Sequence, residues 1–260
     1  MKKIAIIAFA AAALFSSCCC NHHRVGILVH RGLCSEGDQF VTDENTLDAL
    51  RRAQEKKGVG CVEFDVHLTV DSQIVVRHDA KIEGKLNCQT STFDEIRAYV
   101  LPFGHQIPTL HEWLEQAKQT PDIVQAIEIK AHRSQERENA LVRMVIDEVK
   151  AMGMEDQVRY LSFKPETCDE VLRIEPTAKV VLNSSNLHHS LTPDEVKEHG
   201  YYGISYNMNV ILNHIDWLKK FQEYGIETYL WMVNNTYTRG IGEKLGFTWI
   251  TTDFYDVVAY

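Results

Sequence analysis

Residues 58–79 read GVGCVEFDVHLTVDSQIVVRHD, in which two apolar, β-branched runs are separated by a short polar segment. Runs of this composition are typical of buried strands, and the polar segment between them is typical of a turn. Because successive side chains of a strand point to opposite faces, Glu63 and Asp65 share one face and their apolar neighbours share the other. Burying a carboxylate without a partner is costly, so this pair indicates a functional site within a buried strand.

Runs of the same kind alternate with amphipathic stretches along the chain from Val25. The strand-like runs are 25–30, 61–68, 74–77, 124–130, 158–163, 179–182, 203–206, 227–233 and 248–251. The helix-like runs are 46–57, 110–118, 137–152, 165–174, 193–198, 213–224 and 238–245. This alternation predicts a parallel sheet with helical crossovers, and its length fits a (β/α)₈ barrel of about 250 residues. One of the nine strand-like runs is then an extra hairpin strand, which the turn at Asp71 and Ser72 places at 74–77.

An open, doubly wound sheet is the alternative architecture. Such a sheet usually carries a glycine-rich phosphate loop after its first strand, and the segment HRGLCSEGD at 30–38 has no GxGxxG pattern. The first helix is predicted to be capped by Asp43 or Asn45 and to end at Gly58.

Charged residues and histidines stand late in several strand-like runs or directly after them, where a barrel carries its catalytic groups. They are His30, Arg31, Glu63, Asp65, His78, Glu128 and Lys130. Three carboxylates without a thiolate suit a hard cation such as Ca²⁺ or Mg²⁺. The alternative is a structural ion pair between Glu128 and Lys130, with Glu63 and Asp65 exposed to solvent.

Two histidines at one barrel mouth can act as an acid–base pair, because a histidine exchanges a proton near neutral pH. His30 and His78 each end an apolar run beside a charged residue, and Arg31 and Lys130 would hold phosphate oxygens. His67 shares the face of Asp65, and we expect it to pack at the strand end.

Residues 1–17 combine a basic start, an apolar run at 4–15 and a small-residue step before Cys18, which is the pattern of a secretory signal. The apolar run is shorter than the roughly 20 residues that a spanning helix needs. The pattern predicts an exported bacterial lipoprotein, periplasm-facing or on the cell surface, with Cys18 lipidated and residues 18–24 as a tether. An ordinary cleaved signal is the alternative.

Loss of Lys2 and Lys3 with that signal leaves 25 basic against 36 acidic residues, a formal charge of −11. With no basic run, nucleic acid is not an expected partner, and membrane contact is expected only through the lipid anchor. The sequence does not predict the oligomeric state.

The cysteines of the chain body show no zinc-ligand spacing. They are Cys34, Cys61, Cys88 and Cys168. In an exported protein two of them could form a disulfide, although Cys61 is expected to be a small buried residue.

In order and spacing, these motifs resemble the glycerophosphodiester phosphodiesterase family. The opening motifs are HRG at 30–32, DENT at 43–46 and the quoted segment 58–79. The later ones are IPTLHEWLE at 107–115, IEIK at 127–130, SF at 162–163, WMVN at 231–234 and GFTWITTD at 246–253. The resemblance therefore extends over essentially all of residues 25–260, which we interpret as one catalytic domain.

The resemblance implies a TIM barrel of the phospholipase-C-like phosphodiesterase type, with a small insertion after the second strand region and one divalent cation, Ca²⁺ or Mg²⁺. It implies these roles: His30 and His78 as the acid–base pair; Glu63, Asp65 and Glu128 as metal ligands; Arg31 and Lys130 as phosphate contacts; and Trp231 as an aromatic at the substrate mouth. It also implies hydrolysis of a glycerophosphodiester to sn-glycerol 3-phosphate and an alcohol. In that route the glycerol 2-hydroxyl attacks phosphorus, and water then opens a cyclic phosphate.

The chain departs from the family pattern at Asp43, where the family has proline, at Met232, and in the segment 81–106. In the family that segment shapes the substrate entrance. Two other functions stay open at this point. One is a phospholipase-type enzyme acting on phosphatidylinositol or a sphingomyelin-like lipid. The other is a non-catalytic sugar-phosphate-binding lipoprotein.

Overall fold

The computed structural model describes residues 25–84 and 86–259. The predicted leader 1–17, and Cys18 with the tether up to residue 24, lie outside the described residues. Within the described ranges, no helix has the length and apolar character needed to cross a membrane.

The chain alternates between strands and helices, as the periodicity predicts. The strands are β1 (Gly26–Val29), β2 (Ser35–Glu36), β3 (Gln39–Phe40), β4 (Val59–Leu68), β5 (Ile74–Val76), β6 (Val124–Ile129), β7 (Val158–Ser162), β8 (Val180–Ser184), β9 (Gly203–Asn207), β10 (Glu227–Trp231) and β11 (Trp249–Thr252). The helices are α1 (Leu47–Glu55), α2 (Phe93–Arg97), α3 (Leu110–Ala117), α4 (Gln135–Ala151), α5 (Pro165–Ile174), α6 (Pro193–His199), α7 (Met208–Asn213), α8 (Ile215–Glu223), α9 (Thr236–Leu245) and α10 (Tyr255–Val258).

Eight parallel strands close into a barrel, in the order β1, β4, β6, β7, β8, β9, β10 and β11. Closure is direct, because β1 pairs in parallel with β11 on one side and with β4 on the other. The barrel prediction is therefore confirmed, and the open doubly wound sheet is excluded. β5 pairs antiparallel with β4 and is the predicted hairpin strand.

The alternation along β4 separates two apolar layers. Val62, Phe64 and Val66 belong to the large cluster between the sheet and the helices, where Phe64 stacks on Trp113 at a ring separation of 4.4 Å. Cys61 points the other way, into a smaller cluster inside the barrel. Glu63 and Asp65 have the parity of Cys61 and therefore face the barrel interior.

The start of α1 differs from the prediction. Thr46 is the N-cap, and its hydroxyl accepts a hydrogen bond from the backbone N–H of Ala49. Asn45 cannot cap the helix because its amide binds Asp65. Asp43 is also occupied, because it accepts hydrogen bonds from residues of the 81–106 insertion. The helix also ends earlier than predicted: its last residue is Glu55 and Lys56 is the C-cap, while Gly58, with φ of 100°, lies in the turn before β4.

The insertion at 81–106 has a small core of its own beside β5, formed by Val75, Cys88, Ile96, Leu101 and Ile107. Two contacts of Asp43 hold the insertion against the loop before α1. Its Oδ2 accepts a hydrogen bond from the backbone N–H of Phe103 and lies 2.9 Å from Nδ1 of His105. The aspartate that replaces the family's proline therefore fixes the insertion to the barrel.

The four body cysteines are buried and unpaired. The disulfide that an exported chain could form is not present among the described residues, and Cys61 is a small core residue as predicted.

Candidate active site

Three carboxylates meet at the carboxyl ends of β4 and β6. Asp65 lies beside Glu128 in the parallel register of these strands, and Glu63 stands two positions before Asp65, on the same face. One carboxylate oxygen from each of the three residues lies within 4.8 Å of the other two.

The three carboxylates are buried. Their exposed fractions are 4% for Glu63, 0% for Asp65 and 8% for Glu128, so the alternative with solvent-exposed carboxylates on β4 is wrong.

The positive charges around this cluster are unevenly distributed. Lys130 places Nζ 2.8 Å from Oδ1 of Asp65 and 2.6 Å from Oε1 of Glu128. Burial acts to raise the pKa of Asp65, but the charges of Lys130 and its neighbours outweigh it and hold the pKa below its usual value. No lysine or arginine of the described residues forms a salt bridge with Glu63, and burial together with the charge of Asp65 raises its pKa to about 8.

The cluster can take up a further cation. Oε1 of Glu63 is buried and has no hydrogen-bond partner among the described residues. Burial and the charge of Asp65 also raise the pKa of Glu128, which means that the three carboxylates are not fully neutralised by protein groups. Carboxylate oxygens at this spacing are the donors that Ca²⁺ and Mg²⁺ prefer. Glu63, Asp65 and Glu128 thus could hold one hard divalent cation.

His30 follows β1 and faces the same cluster. Its Nδ1 lies 2.7 Å from Oδ1 of Asp253, and its Nε2 lies 3.9 Å from Oε2 of Glu63. Burial opposes the charged form of His30, but the hydrogen bond to Asp253 and the charge of Glu63 outweigh it and raise the pKa of His30. The arrangement leaves Nε2 as the nitrogen available to a substrate proton.

Asp253 is itself held in place by Asn234. The side-chain amide of Asn234 donates to Oδ2 of Asp253 over 2.8 Å, and its carbonyl accepts from the backbone N–H of Asp253 over 2.9 Å. Both residues come from the loops after β10 and β11. The motifs WMVN and TTD therefore contribute to the site through these two residues, although no pattern in the sequence indicated a role for either.

His78 stands in the loop after β5 in a more open position. Its Nδ1 lies 2.8 Å from Oδ1 of Asp79, a carboxylate whose side chain is 72% exposed. Burial and the nearby charges of Lys130 and Arg31 lower the pKa of His78, although Asp65 acts in the opposite direction. The two histidines of the site therefore differ in environment, with His30 the more basic.

The ENT motif supports three separate parts of the site. Glu44 accepts a hydrogen bond from Nη1 of Arg31 over 2.8 Å. Asn45 donates to Oδ2 of Asp65 and accepts from its backbone N–H. Thr46 caps α1. The motif thus fixes the guanidinium, the central carboxylate and the helix that packs behind them.

Backbone geometry brings Arg31 against Glu63. Arg31 has φ of 57°, and its backbone N–H donates to Oε2 of Glu63 over 3.0 Å. Gly32 follows with φ of 84°, and a Cβ there would lie 2.6 Å from the Cβ of Ala49. Only glycine permits this close approach of the loop to α1.

A second pair of histidines supports the main chain beside the site. The imidazole of His67 is buried and places Nε2 3.0 Å from the carbonyl oxygen of His78, and Nδ1 of His132 lies 2.8 Å from the carbonyl oxygen of Lys130. Burial lowers the pKa of His67 to about 4. His67 is therefore neutral at pH 7 and lies at the strand end, as expected, where it supports the loop that carries His78.

The candidate residues surround one cavity of about 250 Å³ that opens at the carboxyl ends of the strands. It is lined by Leu28, His30, Arg31, Glu63, His78, Glu128, Leu161, Phe163, Asn183, Ser205, Trp231, Met232 and Thr251. Trp231 donates its indole N–H to the carbonyl oxygen of Ser205 over 2.8 Å, and its ring meets the edge of Phe163. Asp65 and Lys130 lie behind this lining. There Nζ of Lys130 contacts the carboxylates of both Asp65 and Glu128.

The structure thus brings all eight predicted site residues together. Asp253, Asn234, Asn45 and Asn183 join them without having been predicted. Asn45 lies inside the quoted motif DENT, and its place in that motif is the signal that could have indicated a role. No local pattern around Asn183 indicates one.

Comparison with known proteins identifies the family. Residues 30–257 match the model of the glycerophosphoryl diester phosphodiesterase family. A glycerophosphodiester phosphodiesterase from Caldanaerobacter subterraneus subsp. tengcongensis is 27% identical over 243 residues, which cover 87% of this chain and 93% of that protein.

Solved structures agree. A glycerophosphodiester phosphodiesterase from Parabacteroides distasonis is 33% identical, with a TM-score of 0.81 over 88% of this chain and 92% of that one. An Oleispira antarctica phosphodiesterase, solved in complex with the product sn-glycerol-3-phosphate, shares the fold at 19% identity with a TM-score of 0.74, over 88% of this chain and 93% of that one. The chain belongs to the glycerophosphoryl diester phosphodiesterase family and is an enzyme of this class.

Proposed function

We propose that this enzyme hydrolyses glycerophosphodiesters to sn-glycerol 3-phosphate and an alcohol, with one Ca²⁺ or Mg²⁺ ion and with His30 and His78 as the acid–base pair. The observation that carries the proposal is the shared cavity. Two histidines, a guanidinium and two members of a buried carboxylate cluster line it together, and Oε1 of Glu63 in that cluster has no hydrogen-bond partner among the described residues.

Glu63, Asp65 and Glu128 would hold the cation. When bound, it supplies a positive charge that favours ionisation of a substrate hydroxyl and neutralises a phosphate oxygen. Arg31 is oriented by Glu44, and Lys130 by Asp65 and Glu128, so both cations are fixed before a phosphate arrives. Each can contact a phosphate oxygen without a rearrangement of the loop that carries it.

The histidines would move the protons. One takes the proton of the glycerol 2-hydroxyl as that oxygen attacks phosphorus, and the other gives a proton to the departing alcohol oxygen. A cyclic phosphate and the free alcohol result. In the second step the proton transfers reverse while water opens the ring, which leaves sn-glycerol 3-phosphate. His30, with its partly buried aspartate Asp253, can be held in one tautomer throughout.

We also propose that the enzyme is exported and anchored through a lipid on Cys18. The support is the leader pattern of residues 1–17 and the cysteine that follows it. Mass spectrometry of the membrane fraction would find an acylated Cys18 at the N-terminus, and loss of the acyl mass in Cys18→Ser would confirm the attachment site. A cleaved chain without a lipid would support the ordinary secretory signal instead.

The activity is tested with chelator-treated protein from Val25 onward. Release of glycerol 3-phosphate from glycerophosphocholine, glycerophosphoethanolamine and glycerophosphoinositol is measured with Ca²⁺ or Mg²⁺ added back. We expect cation-restored release that is lost in His30→Ala and Glu63→Ala.

Matched controls are His189→Ala and Glu55→Ala, which change exposed side chains away from the cavity and should retain full activity. Absence of release by the folded protein with either cation would contradict the proposal. Release from a phosphatidylinositol or sphingomyelin substrate alone would then favour the lipid-directed enzyme. Binding of sugar phosphates that survives the loss of both histidines, without turnover, would favour a non-catalytic binding protein.

A further inference from the structure

Asn183 stands at the inner side of the cavity and has an unused hydrogen-bond acceptor. Its side chain is 5% exposed. The amide nitrogen donates to Oε2 of Glu128 over 3.1 Å, which fixes the orientation of the amide. The carbonyl oxygen, Oδ1, is buried and has no hydrogen-bond partner among the described residues.

An unpaired buried acceptor is costly, because the group has lost its hydrogen bonds to water. Asn183 lines the cavity, so a ligand in the cavity can supply the missing donor. The ligand group must be a hydrogen-bond donor, and it must lie beside Glu128 within the cavity. A neutral hydroxyl meets these conditions.

The surrounding lining has the character of a small polyol site. Ser205 is the register partner of Asn183 on the neighbouring strand, and it lines the cavity together with Thr251. Leu28 and Leu161 also line the cavity and belong to the apolar cluster inside the barrel. A short chain of carbons can lie against the apolar groups while its hydroxyls face the polar ones.

We propose that Asn183 determines specificity by accepting a hydrogen bond from the terminal hydroxyl of the substrate's glycerol. The proposal rests on the proposed function. In that function one glycerol carbon carries the phosphate and the 2-hydroxyl attacks phosphorus, so the terminal hydroxyl is the remaining donor. A glycerol whose terminal oxygen carries an acyl chain has no such donor and would also need room in a cavity of about 250 Å³. The enzyme therefore selects diesters with an unmodified glycerol.

The test compares the wild-type enzyme with variants of Asn183 on two substrates. The first substrate is glycerophosphocholine. The second is its analogue with propane-1,2-diol in place of glycerol, which keeps the attacking 2-hydroxyl and lacks the terminal one. We expect the wild-type enzyme to show at least about 100-fold lower kcat/KM for the analogue, because a site that binds a hydroxyl rejects a ligand without it.

In Asn183→Ala and in Asn183→Leu, which keeps the side chain's shape, we expect kcat/KM for glycerophosphocholine to fall by a similar factor. The kcat/KM for the analogue should change less than about threefold, so the variants should turn over the two substrates with similar kcat/KM. Asn209→Ala, at an exposed position on α7, is the matched control and should keep the wild-type ratio.

Cation affinity, measured by titration of the protein without substrate, separates this role from metal ligation. Weaker cation binding in both variants with unchanged discrimination would make Asn183 a metal ligand and overturn the proposal. Equal turnover of the two substrates by the wild-type enzyme would overturn it as well, while leaving the glycerophosphodiesterase function intact. Absence of turnover of either substrate would overturn both proposals.

Discussion

At the scale of single residues, the two histidines of the cavity are supported very differently. Asp253 is partly buried, binds His30 and is fixed by Asn234. Asp79 binds His78 from a position that is mostly exposed to solvent. A hydrogen bond to a buried, fixed carboxylate determines the tautomer of an imidazole more firmly than one to an exposed carboxylate, because water competes with the latter.

Asp253→Asn should therefore reduce kcat by about 10²–10⁴, with a much smaller change in KM, because the amide stabilises the wrong tautomer of His30. Asp79→Asn is the matched variant at the other histidine and should cost less than about tenfold. Steady-state kinetics with glycerophosphocholine, together with melting temperatures to confirm folding, would measure both. Equal losses in the two variants would contradict the asymmetry.

Glu63 is predicted to exchange a proton for the cation. Burial and Asp65 raise its pKa to about 8, so the metal-free protein holds a proton there at pH 7. Cation binding requires the ionised carboxylate and must release that proton. The apparent affinity should weaken by up to about tenfold for each pH unit below 8.

Calorimetric titration at pH 7 in two buffers of different ionisation enthalpy would count the released protons. We expect about one proton released per bound cation in the wild-type protein, and neither cation binding nor proton release in Glu63→Gln, which lacks the ligand carboxylate. An affinity that does not change between pH 6 and pH 8 would disprove the exchange.

At the scale of the elements, the parity of β4 was the most informative part of the sequence. The alternation of Glu63, Phe64 and Asp65 predicted that the two carboxylates share one face and the aromatic takes the other. In the structure that shared face is the barrel interior, and Phe64 packs against the helices. Local patterns were less informative where residues distant in sequence compete for a side chain. Thr46 caps α1 because Asp65, twenty residues later, binds the amide of Asn45.

The same reasoning explains the elements that were not predicted. α2, α7 and α10 have four to six residues, too few for a helical period to be visible in the sequence. The pairing of Asp253 with His30 joins residues 223 positions apart, and no sequence pattern near either residue predicts this contact. Asn183 likewise depends on strand neighbours that only the closed barrel supplies.

Glu138 on α4 binds the loop after β6, the loop after β7 and the helix α5. It is fully buried and accepts hydrogen bonds from the backbone N–H of His132, from Nζ of Lys164 and from the hydroxyl of Thr167. Burial acts to raise its pKa, but these donors outweigh burial and lower it. A carboxylate with a lowered pKa stabilises the fold above its unfolded-state pKa, and this contribution is lost as the pH falls through the folded-state value.

Glu138→Gln should accordingly lower the free energy of unfolding at pH 7 by about 1–3 kcal/mol, because the charge-assisted hydrogen bonds are lost. The difference from wild type should shrink as the pH is lowered from 7 towards 3. Urea unfolding at several pH values would measure it, with Glu136→Gln at an exposed position of the same helix as the control. A difference that grows on acidification would refute the assignment.

At the scale of the whole molecule, the site joins elements from both ends of the chain. The loop after β1 contributes His30, the loop after β11 contributes Asp253, and β1 and β11 are neighbours only because the barrel closes. Ligands that bind the carboxylate cluster should therefore stabilise the barrel as a unit, since they bind only the folded chain.

Addition of Ca²⁺ or Mg²⁺ at about 100 times its dissociation constant should raise the unfolding free energy by about 2.7 kcal/mol. For a domain of this size that corresponds to a rise in melting temperature of about 5–10 °C. Scanning calorimetry with and without chelator would detect it. In Glu63→Gln the metal-free melting temperature should stay within a few degrees of wild type at pH 7, while the cation-dependent rise is lost. A rise of equal size in both proteins would show that the cation binds elsewhere.

The direction of β1 has a consequence for how the enzyme meets its surroundings. Val25 precedes the start of β1, at the end of the barrel opposite to the carboxyl ends that carry the cavity. A seven-residue tether from Cys18 spans at most about 25 Å, roughly the length of the 17-residue α4 alone. The lipid proposed on Cys18 would therefore attach at the end of the barrel opposite the cavity. Substrate and products would then exchange between the cavity and the surrounding fluid rather than with the bilayer at the other end.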